Sequence, residues 1–341
     1  MGDVVVVGAG IVGASVAYHC ARLGAAATLV DKALPGAGAT GESFGWIGAS
    51  RRVPAPGRPL HAAAVREYRR VERELPDVRV RWVGSLSWGG PRPPGDLDPG
   101  SRLLDAEQVA ALEPHLGRPP ERAVHTAGDG VVDPRAAADA LVAAACARGA
   151  RAVFGTAVTG VRVSGGRATG VDTTVGCLGA DTVVLTAGVD VPVLSAPLGV
   201  AVPVAPSPAV LLRLDGPPDL VRTVVATPEV EVRAGADGEL LAALAHTGET
   251  TAAALARSAE RARDRIAALF RGGEDVRLRS ARVGVRPMPT AGHPLIGPLV
   301  PGAYLAVTHS GVTLAPVAGR LVAEEVVHNV EAPELRGCRP S

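Results

Sequence analysis

The first residues with a chemical use are three glycines, Gly8-x-Gly10-x-x-Gly13. Gly8 permits a tight turn, Gly10 lets backbone approach a pyrophosphate, and Gly13 lets a helix pack closely on a strand. A helix starting there offers free N–H groups, at Ile11 and Val12 among others, and the positive end of its dipole to phosphate. Asp31 stands at the end of the next apolar run, about 20 residues beyond the glycines, where a carboxylate accepts from a ribose hydroxyl. The same carboxylate repels a 2′-phosphate, which disfavours NADP. Lys32 follows it directly. The bland alternative is an ordinary Gly-rich turn. The glycine spacing does not separate FAD from NAD.

These residues need elements to hold them. Val4 to Val7 is wholly apolar and β-branched, as a parallel strand buried on both faces reads. Ala14 to Leu23 reads as a helix stopped by Gly24, and Ala27 to Val30 as a second strand. Ala37 to Arg52 is a Gly-rich loop, Leu60 to Leu75 a charged helix, and Val78 to Trp88 an alternating strand. Pro91 to Pro99 reads as a surface loop. Asp105 caps a short helix to Leu112. Asp129 to Pro134 reads as a turn, before a helix to about Arg148. Strands are expected over 151–154, 158–163, 169–174 and 182–185. A second group is expected over 202–214, 221–226, 230–233, 240–244 and 276–285. Helices at 250–270 and 315–327 and a strand at 304–307 complete the order.

Composition narrows the function classes. The chain has 341 residues, enough for about two domains, and its 47% hydrophobic and 20% charged content is globular. With 35 Lys+Arg against 34 Asp+Glu, no basic excess favours nucleic acid or an anionic membrane surface. Four scattered cysteines without a CxxC argue against zinc or a disulfide framework, and for a reducing, cytoplasmic setting. The apolar stretch 183–212 carries five prolines, so no membrane span is expected. The N-terminus lacks the charged region of a signal peptide.

Five further segments occur in order: Gly38-Ala-Thr-Gly-Glu-Ser43, Asp129-Gly-Val-Val-Asp-Pro134, Val184-Leu-Thr-Ala-Gly188, Gly284-Val-Arg-Pro287 and His309-Ser-Gly-Val-Thr-Leu-Ala-Pro316. Together with the glycine fingerprint they resemble the FAD-dependent D-amino-acid oxidase, glycine oxidase and sarcosine oxidase family, over nearly the whole chain. The resemblance implies an α/β fold of glutathione-reductase-like flavoprotein architecture. A Rossmann-like FAD-binding domain (1–77, 125–200 and 283–335) would carry a discontinuous, sheet-based substrate domain (78–124 and 201–282). By position, Thr40 and Ser43 lie near the pyrophosphate and ribityl chain. Gly45 and Trp46 pass the flavin ring, Val158 meets the adenine, and Ala187 and Gly188 close over the cofactor. Gly311, Val312 and Thr313 face the flavin N1/C2 carbonyl edge, where a helix N-terminus stabilises the negative charge of a reduced flavin. No cysteine lies near Val283, where sarcosine oxidases attach flavin, so FAD is expected to be non-covalent.

The resemblance makes Arg286 a clamp for a substrate carboxylate, a task suited to the bidentate guanidinium fork. The alternative is a structural ion pair. His309 either lines the pocket or fixes its loop. His61, His246 and His293 read as structural or exposed, and Arg233 as a cavity residue or a solvated sheet residue. Trp46 either shapes the pocket or packs in a core. No metal site is expected. The function implied is oxidation of a C–N bond of a small amine or amino acid. The acceptor is oxygen, or a quinone or protein. The single lysine, Lys32, belongs at the adenosine end, away from the place where sarcosine oxidases put one over the flavin. Two alternatives stand beside this: a flavin-bearing subunit of a larger complex, and an NAD-dependent dehydrogenase.

Overall fold

The computed structural model describes residues 2–48, 53–90, 97–98, 100–236 and 238–340. The expected proline-rich loop 91–99 and the end of the Gly-rich loop lie largely outside the described residues.

A six-stranded sheet is built around β1 (Asp3–Val7), which pairs in parallel with β2 (Ala26–Val30) on one side and with strand Thr182–Leu185 on the other. Strand Arg151–Val153 extends it beyond β2. Strand Ala303–Val307 and the antiparallel Leu295–Val300 extend it on the far side. The four valines of β1 are all buried, which explains their unbroken apolar run. Helix α1 (Ile11–Arg22) follows at once and packs against helices Pro134–Cys146 and Gly311–His328. The crossing with the last helix is very close. A Cβ on Gly319 would overlap Ser15, so only glycine fits there.

The second large sheet has eight strands and is mostly antiparallel, with Arg277–Pro289 and Ser101–Asp105 at its edges. Helix Ala252–Leu269, capped by the Thr251 hydroxyl, covers one face. Glu113 ties that layer together. Its fully buried carboxylate accepts from the Arg222 and Thr223 amides and the Thr223 hydroxyl. No helix among the described residues is long and apolar enough to cross a membrane.

Several expectations change. The alternating run 78–88 is two strands, Val80–Arg81 and Ser85–Ser87, because Gly84 turns the chain at φ +71°. The expected turn 129–134 contains strand Gly130–Val132, which pairs with both Val80–Arg81 and Trp46–Ile47. Strand 277–289 runs past Arg286 to Pro289. Its prolines are tolerated because it is an edge strand. The three strands Gly176–Gly179, Leu295–Val300 and Ser101–Asp105 had no clear alternating signal.

The last helix begins at Gly311, not Ala315. Pro316 resembles a first-turn proline but sits inside the helix. A proline has no N–H for the carbonyl four residues earlier. That carbonyl, of Val312, instead accepts from the buried Tyr68 hydroxyl at 2.6 Å. The helix therefore continues four residues further back than the proline suggests.

Candidate active site

The glycine turn is as tight as its spacing implies. Gly8 has φ +106°, and a Cβ on Gly13 would overlap the Gly8 carbonyl oxygen. Thr186, at the end of strand 182–185, donates to the Val7 and Gly8 carbonyls at 2.7 and 3.0 Å. A Cβ on Gly8 would also crowd Thr186 and Ala187, so Ala187 lies against the turn, and Gly188 follows it near Pro287. Gly10 is more open, with only the Thr40 hydroxyl near its missing Cβ.

Asp31 sits where the sequence places it. One carboxylate oxygen accepts from the Ala9 amide at 2.6 Å and the other from the Ala33 amide at 2.8 Å. Each oxygen keeps a further acceptor site for a ribose hydroxyl. The Asp31 backbone also bonds to Val153 and Thr156, which brings the segment leading to Val158 beside it. Lys32 is paired with Asp190 at 2.6 Å.

Two helix N-termini meet at the site. Neither α1 nor the last helix has a side-chain cap from its own N-cap residue, Gly10 or Ser310. A Cβ on Gly311 would have only Val12 for a neighbour, at 3.7 Å. Thr40 reaches across to accept from the Ile11 amide at 3.1 Å. The first-turn donors of both helices have no partner within their own helices. Such a pair of dipole ends suits an anionic nucleotide and an anionic ring.

The loop between Thr40 and Ile47 lies between the two sheets. Ser43 accepts from the Gly45 amide at 3.3 Å, and Gly45 turns at φ +75°. The Trp46 carbonyl accepts from the Thr313 hydroxyl at 3.0 Å, and its indole donates to Asp129 at 2.9 Å. From the other side, Arg282 pairs with Glu42 at 3.5 Å. A Cβ on Gly284 would come within 2.8 Å of the Glu42 side chain.

Arg233 corrects the reading as a solvated sheet residue. It is only 3% exposed. Its guanidinium donates to the carbonyls of Phe44 at 2.6 Å, Ala234 at 3.0 Å and Val132 at 3.3 Å. Burial, and then the nearby Arg81, lower its pKa to about 10, so it stays charged at neutral pH. No sequence signal marks it apart from a charge in a strand.

Arg286 is half-buried and held along one side, donating to the Ser207 carbonyl at 3.2 Å and to its hydroxyl at 2.9 Å. Among the described residues no carboxylate lies within ion-pair distance of it, so the structural ion pair is not formed. Its charge reaches His309, whose pKa is lowered by the surrounding protein first and by Arg286 second. His61 was expected to be structural or exposed. It is buried beside the site, with Nδ1 unpartnered. Burial and the nearby His309 lower its pKa to about 4. His246 and His293 bond local carbonyls at 3.2 and 3.0 Å and serve their own turns. No cluster that could hold a metal occurs among the described residues.

A largely parallel sheet with a glycine turn, an acid at the end of its second strand and a second sheet facing the same loop is the arrangement of a dinucleotide-dependent oxidoreductase. The model of the DAO family, FAD-dependent oxidoreductases, matches residues 3–325. The chain belongs to that family, and FAD is its cofactor, which replaces the NAD-dependent alternative. It superposes on the glycine oxidase of Geobacillus kaustophilus with a TM-score of 0.88 and 23% identity, covering 100% of this chain and 98% of that one. Iminodiacetate oxidase of Chelativorans sp. BNC1 gives a TM-score of 0.85 and 26% identity, covering 99% and 98%. The anaerobic glycerol-3-phosphate dehydrogenase subunit A1 of Haloferax volcanii is 31% identical over 183 residues, half of this chain and 31% of that protein. The chain thus matches less than a third of that relative's length.

Two predictions follow from this geometry. Arg233→Ala takes a donor from the Phe44 and Val132 carbonyls, while the Ala234 carbonyl keeps Arg81, and should cost about 2–5 kcal/mol in urea unfolding, with faster loss of flavin on dilution. Unchanged flavin retention at lowered stability would separate the clamp from the cofactor. For His61, the folded pKa of about 4 lies below the unfolded value of about 6.5. The unfolded state therefore binds the proton first. The penalty is absent above pH 6.5 and grows to about 3 kcal/mol as pH falls to 4. His61→Gln should flatten the stability profile in that window, read by denaturant unfolding at a series of pH values.

Proposed function

We propose that the protein oxidises a C–N bond of a small amine or amino acid, with FAD held non-covalently in the first domain. The observation that carries this reading is Arg286, a guanidinium without an ion pair among the described residues, fixed by Ser207 and close enough to His309 to act on its charge. The division into two discontinuous domains is part of the same proposal.

When bound, FAD supplies the hydride acceptor. The protein's own part is binding, orientation and exclusion of water. The α1 N-terminus and Gly10 receive the pyrophosphate, Asp31 a ribose hydroxyl, and Val158, Ala187 and Gly188 enclose the adenosine end. Thr40, Ser43, Gly45 and Trp46 line the path to the ring. The amides of Gly311, Val312 and Thr313 stabilise negative charge there. Arg286 anchors the substrate carboxylate, so the carbon bearing nitrogen presents its hydrogen to the acceptor. His309 and His61, both with lowered pKa, stay neutral near pH 7 and add no charge that would repel a cationic amine. An amine bound neutral needs no strong base, and the imine product is hydrolysed by water. Lys32, held by Asp190 at the adenosine end, provides no cation over the ring, which supports a quinone or protein acceptor beside oxygen.

The match to a dehydrogenase subunit favours one second reading, a flavin-bearing subunit with little activity alone. Activity of the purified chain, measured with its size-exclusion mobility, separates the two.

The direct test is an absorbance spectrum of the pure protein, then anaerobic bleaching against amines and amino acids. Acid precipitation should release all the yellow colour. A pellet that stays yellow means a covalent flavin. Arg286→Ala should lower kcat/KM for a carboxylate substrate roughly 30-fold to several thousand-fold, and far less for the decarboxylated analogue. Lysine should rescue poorly, because it lacks the planar fork. Equal losses on both substrates would make Arg286 structural.

A further inference from the structure

Strand Glu231–Ala234 opens with a carboxylate that nothing in the reaction above uses. Side chains two apart on a strand share a face, so Glu231 points to the same side as Arg233. That side is the one facing the cofactor loop, because Arg233 bonds the Phe44 carbonyl. The register carries the same face across the sheet. Glu231 stands opposite Ala243, Ala243 opposite Leu211, and Leu211 opposite Arg282. Arg286 lies two pleats further along that edge strand, again on this face, and pairs with Ser207. Glu231 and Arg286 therefore flank one stretch of sheet. The floor between them includes Ala243, Ala245, Ala209 and Ser207. Leu211 stands in the direct row, and these four small residues beside it are all at least partly exposed, so the face is open above them.

The Glu231 carboxylate makes no hydrogen bond or ion pair among the described residues, yet it is only partly exposed. Burial raises its pKa and the Arg286 charge offsets only part of this, so the two groups sense each other across this floor. A half-buried carboxylate without a partner is unfavourable unless something cationic completes it. Arg286 is committed to Ser207 and keeps Nη1 without a hydrogen bond. The result is a site with one positive and one negative pole, separated by a run of small residues.

We propose that Glu231 is a specificity-determining residue, which selects substrates carrying a second cationic group in addition to the carboxylate held by Arg286. Amino acids with an ammonium or guanidinium side chain fit this description. The inference rests on the reading of Arg286 as the carboxylate clamp.

The test uses the FAD-loaded protein and follows the change in flavin absorbance on titration with 4-guanidinobutyrate and with pentanoate. These probes share a carboxylate and differ in the distal charge. Wild-type protein should bind 4-guanidinobutyrate more tightly. Glu231→Gln should weaken it by roughly 10- to 100-fold, with pentanoate changed by less than about twofold. Glu231→Lys should reverse the preference in favour of glutarate. Equal weakening of both probes by Glu231→Gln, no wild-type preference, or no response to either probe would overturn the proposal. The binding ratio needs no turnover. If ornithine, lysine and arginine of both configurations fail to bleach the flavin while the ratio holds, the C–N oxidation reading fails and the charge selection stands.

Discussion

A single buried guanidinium holds the two halves of this protein to a common loop. Arg233 comes from the second sheet, yet its acceptors are Phe44 in the cofactor loop, Val132 beside the helix at 134, and its own neighbour Ala234. A buried cation is costly unless its donors are satisfied, and five N–H groups in a rigid fork can satisfy several carbonyls at once. No other side chain could span these three carbonyls from one strand. The remaining contacts of the loop follow from that placement. Thr313 meets the Trp46 carbonyl from the last helix, and Glu42 meets Arg282 and the missing side chain of Gly284. The loop is thereby fixed from both sides along the path expected for the flavin.

The nucleotide end was legible in the sequence because its constraints are local. Gly8, Gly10, Gly13 and Asp31 lie within one βαβ unit, and each residue type has one steric or electrostatic reason to be there. The proposed substrate end is less legible, because its constraints act across the sheet. Glu231 and Arg286 are 55 residues apart, and only the register of four strands places them on one floor. Arg233 looked like a surface charge, since a one-dimensional pattern does not show where carbonyls from other segments converge. His61 lies on an amphipathic helix whose pattern marks it as inward-facing, but not what it meets there.

Errors in the elements have specific causes. Gly84 breaks an alternating run that periodicity alone joins, and the strand at 130–132 is too short to show a period. The last helix was expected to start at 315, beside Pro316, because prolines favour the first helical turn. Tyr68 removes the objection to an interior proline by donating to the carbonyl that the ring leaves empty. The site depends on this substitution of one donor for another, since the helix start at Gly311 would otherwise lie a turn away from Trp46.

The sheet order also bears on how the chain is made. Its central strand comes from the N-terminus, but the neighbours at 182–185 and 303–307 are synthesised much later, and the helix that pairs its N-terminus with that of α1 comes last of all. Parallel pairing between segments so distant in sequence is slow and closes large loops. On the ribosome, the early βαβ unit waits through some 270 residues of synthesis for the pieces that complete its flavin-facing edge. Until those pieces are made, β1 has a pairing partner on one side only.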